Sequence, residues 1–143
     1  MPTRPFLKLL ALCALLPFLL FATYAKSLLL DESDESTHIC LYPGDTLTIK
    51  LVSNPTTGFT WTNPESPTNL ALLSSKSTRD PADPVGAPGF QVFSFNATAP
   101  GESVLVLKYL RPFEKNTPPA KMFHLFITIE ARPALNQALA PKA

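Results

Sequence analysis

Apolar and polar residues alternate along much of the chain. Leu47, Ile49 and Leu51 interleave with Thr46, Thr48 and Lys50, the two-residue period of a strand with one buried face. Phe93, Phe95 and Ala97 repeat it around Ser94 and Asn96, and Leu105, Leu107 and Tyr109 do so again. Phe123, Leu125, Ile127 and Ile129 give the clearest run, against His124, Thr128 and Glu130. Shorter strands are predicted over residues 37–42, 60–63 and 70–75. No stretch after residue 25 shows a helical period. Pro43-Gly44-Asp45 and Pro100-Gly101-Glu102 separate strands, and Pro-Gly pairs suit type II turns, because proline pre-sets one φ and glycine accepts the positive one. About seven short strands at this spacing predict an all-β fold, an immunoglobulin-like antiparallel β-sandwich.

The two ends of the chain read differently. Arg4 and Lys8 precede an almost wholly apolar run from Leu9 to Phe21, and Thr23 and Ala25 are small residues at the spacing a signal peptidase reads. Residues 1–25 are therefore expected to be a secretory signal peptide cut after Ala25. The run is short for a membrane span, and an uncleaved anchor is the alternative. Residues 26–36 are expected to form a partly solvated leader, residues 37–131 the folded domain, and the Pro- and Ala-rich residues 132–143 a flexible tail. Export implies a secreted or periplasmic protein.

Composition narrows the function. The chain is 45% hydrophobic and 16% charged, enough apolar content for a packed core. Losing Arg4 and Lys8 with the signal leaves ten basic residues against eleven acidic ones, a net charge near −1. That balance gives no electrostatic footprint for nucleic acid. Cys13 leaves too, so Cys40 is alone and the domain holds no internal disulfide. His38, Cys40 and His124 are the only imidazole and thiol candidates in the domain. His38 and Cys40 share a strand face, but neither a third group nor a metal-ligand spacing accompanies them. The reading is a half-buried cysteine beside a surface histidine, with no enzyme activity, cofactor or metal.

Three connections are longer than a sandwich needs, and long loops in compact domains are often functional. The first reads Asn54-Pro55-Thr56-Thr57-Gly58-Phe59, followed by Thr60-Trp61. Pro55 locks its φ and extends Asn54, the β-branched threonines are stiff, and Gly58 permits a turn. This is either a stiff, weakly polar protrusion or a structural hairpin with a rigid turn. The second carries Val85-Gly86-Ala87-Pro88-Gly89-Phe90, either a backbone suited to close approach by another chain or a flexible connector. The third begins Arg111-Pro112-Phe113. It is either an interface hot spot or a phenylalanine folded onto the core beside an arginine in a surface ion pair.

Taken in order, these segments resemble the chagasin family of inhibitors of papain-like cysteine peptidases. That family carries an N-P-T-T-G-F loop, a later G-x-G-G-type loop and an R-P-W/F loop on an immunoglobulin-like sandwich. Asn54 to Phe59 match the first motif completely, and Arg111-Pro112-Phe113 match the third. Gly86-Ala87-Pro88-Gly89 match the second in part, with Pro88 where the family usually has glycine. The resemblance spans residues 42–130. It implies a monomeric, tight-binding, reversible, non-covalent inhibitor that fills a papain-like cleft with three loops. Thr56 and Thr57 would then lie nearest the enzyme's catalytic Cys and His. Arg111 and Phe113 would lie on the primed side, and residues 85–90 along the unprimed side. The alternative is an immunoglobulin-like adhesion or ligand-binding module without inhibitory activity.

Overall fold

A computed structural model describes residues 24–63 and 65–133 of the chain. The expected signal peptide, apart from Tyr24 and Ala25, and the expected tail beyond Pro133 lie outside the described residues.

Eight strands follow in order: β1 Ser27–Asp31, β2 His38–Leu41, β3 Thr46–Ser53, β4 Thr60–Thr62, β5 Leu70–Thr78, β6 Gly89–Ala97, β7 Gly101–Leu110 and β8 Lys121–Ile129. Short 3-10 turns at Glu32–Asp34 and Pro55–Thr57 complete the regular structure among the described residues. One four-stranded sheet has the order β1-β3-β6-β5 and the other β2-β8-β7-β4. Each alternating run buries its apolar set between the sheets. Leu47, Ile49 and Leu51, with Phe93 and Phe95 beside them in the same sheet, face Leu105, Leu107, Phe123, Leu125, Ile127 and Ile129 of the other in one core.

The sheets are mixed rather than purely antiparallel. β1 pairs parallel to β3, with Leu28 opposite Leu47, and β2 pairs parallel to β8, with Ile39 opposite Ile127. Alternation specifies which face is buried and is silent on the partner's direction. Parallel neighbours need a crossover, and here β2 supplies one by lying in the opposite sheet between β1 and β3.

Within the expected leader, residues 27–31 form β1. Its Leu28-Leu29-Leu30 run lacks alternation, yet Leu30 is buried and Leu28 packs on the core while Leu29 is exposed. Asp31 then ends the strand. Its carboxylate accepts from the Ser33 hydroxyl at 2.6 Å and the Ser33 N–H at 2.8 Å. Those bonds hold the Asp31 carboxyl below its ordinary range. The Asp34 carboxylate accepts in turn from Asp31 N–H at 2.9 Å, closing a capping box that starts the chain toward β2.

Asp45 is the most buried acid among the described residues, 1% exposed. One carboxylate oxygen accepts from Tyr42 N–H at 2.9 Å. The other accepts from Lys26 N–H at 2.9 Å and from Arg132 Nη2 at 3.4 Å. The Pro43-Gly44 turn, the start of β1 and the segment after β8 therefore meet on one side chain.

Shortening Leu125 to alanine in the fully buried centre of β8 should destabilise the domain by about 2–5 kcal/mol in urea unfolding. The same change at exposed Leu73, beside a register irregularity in β5, should cost less than about 0.5 kcal/mol.

Candidate functional site

The first long loop is no hairpin. β3 belongs to one sheet and β4 to the other, so residues 54–59 carry the chain across the sandwich. Pro55, Thr56 and Thr57 form a single 3-10 turn closed by Thr57 N–H to Asn54 O at 3.1 Å and Gly58 N–H to Pro55 O at 3.0 Å. The Thr57 hydroxyl donates to Asn54 O at 2.7 Å, and the Thr56 hydroxyl donates to Asn54 Oδ1 at 2.5 Å. Gly58 leaves the turn at φ +80°, a conformation that side chains with a Cβ resist. Both threonines project into solvent.

The stem below the turn is aromatic. Phe59 stacks on Tyr109 at 5.2 Å between centroids, and Trp61 tilts against the same ring at 5.1 Å. The Tyr109 hydroxyl accepts from Asn54 N–H at 3.0 Å, and Trp61 Nε1 donates to Val52 O at 2.9 Å. Both ends of the loop are thereby anchored.

Gln91 completes the support, and motif reasoning overlooks it. β4 pairs with β7 along one edge only. Along the other, Gln91 reaches over from β6 in the facing sheet. Its Oε1 accepts from Trp61 N–H at 2.9 Å and the Thr60 hydroxyl at 3.1 Å, and its Nε2 donates to Trp61 O at 2.9 Å and to Ser75 Oγ at 3.2 Å. One side-chain amide thus substitutes for a neighbouring strand, and it is buried, 6% exposed. The sequence signal is a polar residue on the face that Phe93, Phe95 and Ala97 continue as apolar.

The third loop leans on the first. Arg111 Nε donates to Thr57 O at 3.1 Å, its guanidinium lies 4.4 Å over the Phe59 ring, and Nη1 pairs with Glu114 at 3.0 Å. Phe113 lies beside Gly58, where an added Cβ would come within 3.1 Å of its ring. Phe113 is still 69% exposed. The expected ion pair is present: it and the Thr57 contact position Arg111, and Phe113 stays open to solvent instead of folding onto the core. Pro112 is exposed between them.

The second loop caps the β5–β6 hairpin. Ala87 N–H bonds to Pro84 O at 3.0 Å with Gly86 at φ +92°, which puts Val85 at the outer corner of a tight turn, 94% exposed. Asn54 Nδ2 donates to Gly86 O at 3.4 Å, joining this loop to the first. Pro55, Thr56, Ala87, Gly89 and Phe90 line a cleft of about 310 Å³ between the two loops, with Arg79 beside them. Gly89 is required within the chain itself. A Cβ there would come within 2.5 Å of Thr78 O across the hairpin. Phe90 lies on the outer face of its sheet under Lys50 Nζ, 3.9 Å from the ring centroid. Pro88 is exposed.

All three segments meet at one end of the sandwich. Direct contacts link residues 54–59 to Gly86, Arg111 and Phe113. His38 and Cys40 lie elsewhere, on edge strand β2, and Cys40 is exposed rather than half-buried. Cys40 lies on the face of β2 turned from the core, next to the buried Leu41.

Comparison with known proteins identifies the family. Residues 40–127 match the model of the chagasin family of peptidase inhibitors, I42. The chain belongs to that family, a family of inhibitors and not of enzymes. It is similar to Amoebiasin-2 of Entamoeba histolytica, 30% identical over 111 residues, covering 76% of this chain and 89% of that protein. Its fold is similar to the crystal structure of the cysteine protease inhibitor EhICP2 from Entamoeba histolytica, with TM-score 0.67, 25% identity, and 75% and 98% of the two chains covered. The solution structure of Amebosin is similar too, with TM-score 0.58, 29% identity, and 74% and 98% covered.

Replacing Gln91 by leucine keeps the volume and strands the Trp61 N–H and carbonyl. It should cost about 2–3 kcal/mol in chemical unfolding, more than an apolar-for-polar exchange in a core would suggest.

Proposed function

We propose that the protein inhibits papain-like cysteine peptidases by seating this tip in their active-site cleft, reversibly and without a covalent bond. The carrying observation is the mutual bracing of three sequence-distant loops. Asn54 to Gly86, Arg111 to Thr57 and Phe113 against Gly58 make one preformed wedge. Its outermost apolar groups, Val85 and Phe113, are turned to water. Large apolar side chains left exposed on stiff supports mark a contact surface. A stiff wedge loses little conformational entropy on docking, so more of its contact energy survives as affinity. The description of the similar Entamoeba histolytica protein as a cysteine protease inhibitor supports the choice of target class.

The geometry would also disfavour cleavage of the inhibitor. Peptidase clefts hold substrates extended, in the manner of an added strand. The 3-10 turn at residues 55–57 is not extended, and Thr57 O already accepts from Arg111 Nε. A carbonyl held this way is turned from the attack geometry a nucleophilic thiolate needs. The protein acts as a monomer, outside the cell that makes it or in its periplasm.

Titrating papain with the purified protein tests the reading. Activity should fall stoichiometrically, return on dilution or displacement, and leave the inhibitor's mass unchanged. Phe113→Ala should weaken inhibition by about 10-fold or more, as expected when a buried aromatic anchor is lost. Papain fully active with micromolar protein present would refute the proposal. Pro88 removes one backbone N–H from the second loop. Pro88→Gly should accordingly tighten inhibition of at least one papain-like enzyme, and identical constants across several enzymes would remove Pro88 as a determinant.

A further inference from the structure

The buried carboxylate of Asp45 lies at the point where the chain enters the fold. Tyr24 is 88% exposed and Ala25 is exposed, and both lie outside any strand. From Lys26 onward the backbone is held: Lys26 N–H donates to Asp45 Oδ1 at 2.9 Å, Lys26 O accepts from Thr46 N–H at 2.9 Å, and β1 begins at Ser27. Ahead of Lys26, Tyr24 O accepts from the Arg132 side chain at 3.4 Å, so strand-type backbone pairing begins just after the bond between Ala25 and Lys26. The small residues Thr23 and Ala25 mark that same bond for a signal peptidase. Residue pattern and hydrogen bonding are independent of each other, and they agree.

We propose that Asp45 is the receptor for an α-ammonium group created at Lys26 by cleavage after Ala25. Water adds across the Ala25–Lys26 peptide bond under a signal peptidase. The carboxylate stays with Ala25, and the Lys26 nitrogen leaves as an amine that takes up a proton. That nitrogen sits 2.9 Å from Asp45 Oδ1 as an amide, so in the folded processed chain a cation would take the place of a neutral donor. A charge-assisted bond to a buried carboxylate is roughly twice as strong as a neutral one.

The other charged group against this site is Arg132. Its Nη2 is 3.4 Å from Asp45 Oδ1 and 3.4 Å from Tyr24 O, and its Nε donates to Pro43 O at 3.3 Å. Cleavage takes Tyr24 away and leaves Arg132 to Asp45 and Pro43. The processed chain then closes its first strand, its first turn and the segment after its last strand on one carboxylate.

The test uses the full chain exported by a secreting host, beside a second full chain with Ser-Gly-Ser inserted between Ala25 and Lys26. After export the second protein carries a peptide amide at Lys26 and is otherwise the same. The mass of the first should correspond to a chain starting at Lys26. At pH 6 the inserted protein should unfold about 5 °C lower. The α-amine is ordinarily half-protonated near pH 7.7–8.0, and a carboxylate partner raises that value. The added stability is therefore complete below about pH 7.7 and lost as pH rises through the raised value, so the two proteins should converge by about pH 10. In an Asp45→Asn background the insertion should have no effect at pH 6. Should that variant not fold, the pair with Asp45 intact decides alone. A different first residue, or equal midpoints at pH 6, would overturn the proposal. Neither readout involves a peptidase, so this inference and the inhibitory one fail separately.

Discussion

A two-sheet sandwich forces its chain to pass from one sheet to the other, and here one such passage forms the exposed tip of the molecule. The distance to be crossed is set by core side chains, about 10 Å between sheets. Residues 54–59 span that gap with a 3-10 turn fixed at both ends. The tip therefore takes its shape from the core. Leu51 and Ser53 are buried before the crossing and Trp61 after it, so the loop leaves and re-enters packed protein within a few residues. Neighbouring loops then need only touch this crossing to be positioned themselves.

The stem shows how polar chemistry supports such a crossing. β4 is three residues long and sits at a sheet edge, a poor anchor by itself. Gln91 turns that weakness into a junction between sheets, because a primary amide offers a donor and an acceptor at the spacing of a backbone edge. Tyr109 does similar work from β7, presenting a ring to Phe59 and Trp61 and a hydroxyl to Asn54. Both residues act through the loop and leave its outward surface to Thr56, Thr57 and Phe113.

Much of this was legible in the chain. Alternation located β3, β6, β7 and β8, because each has one face in the core, and turn residues separated them. The motifs named the loops. The rest depends on relations that a linear pattern does not encode. β1 escaped because a run of three leucines shows no period, although only alternate members turn inward. Parallel pairing escaped because burial of a face is indifferent to strand direction. Asp45 looked like one more turn residue after Pro43-Gly44, and nothing local reveals that Lys26 and Arg132 return to it. Gln91 left a trace, a polar residue on an apolar face, whose meaning depends on which edge lies opposite.

Lys26 and Arg132 converge on Asp45, just before β3, whereas Asn54 begins the tip just after it. An eight-residue strand puts roughly 25 Å between these two places. Both entry and exit of the folded chain thus lie at the pole away from the wedge. Anything attached at either end, from a carrier domain to a solid support, would hold the molecule by its base and present the wedge outward, unobstructed.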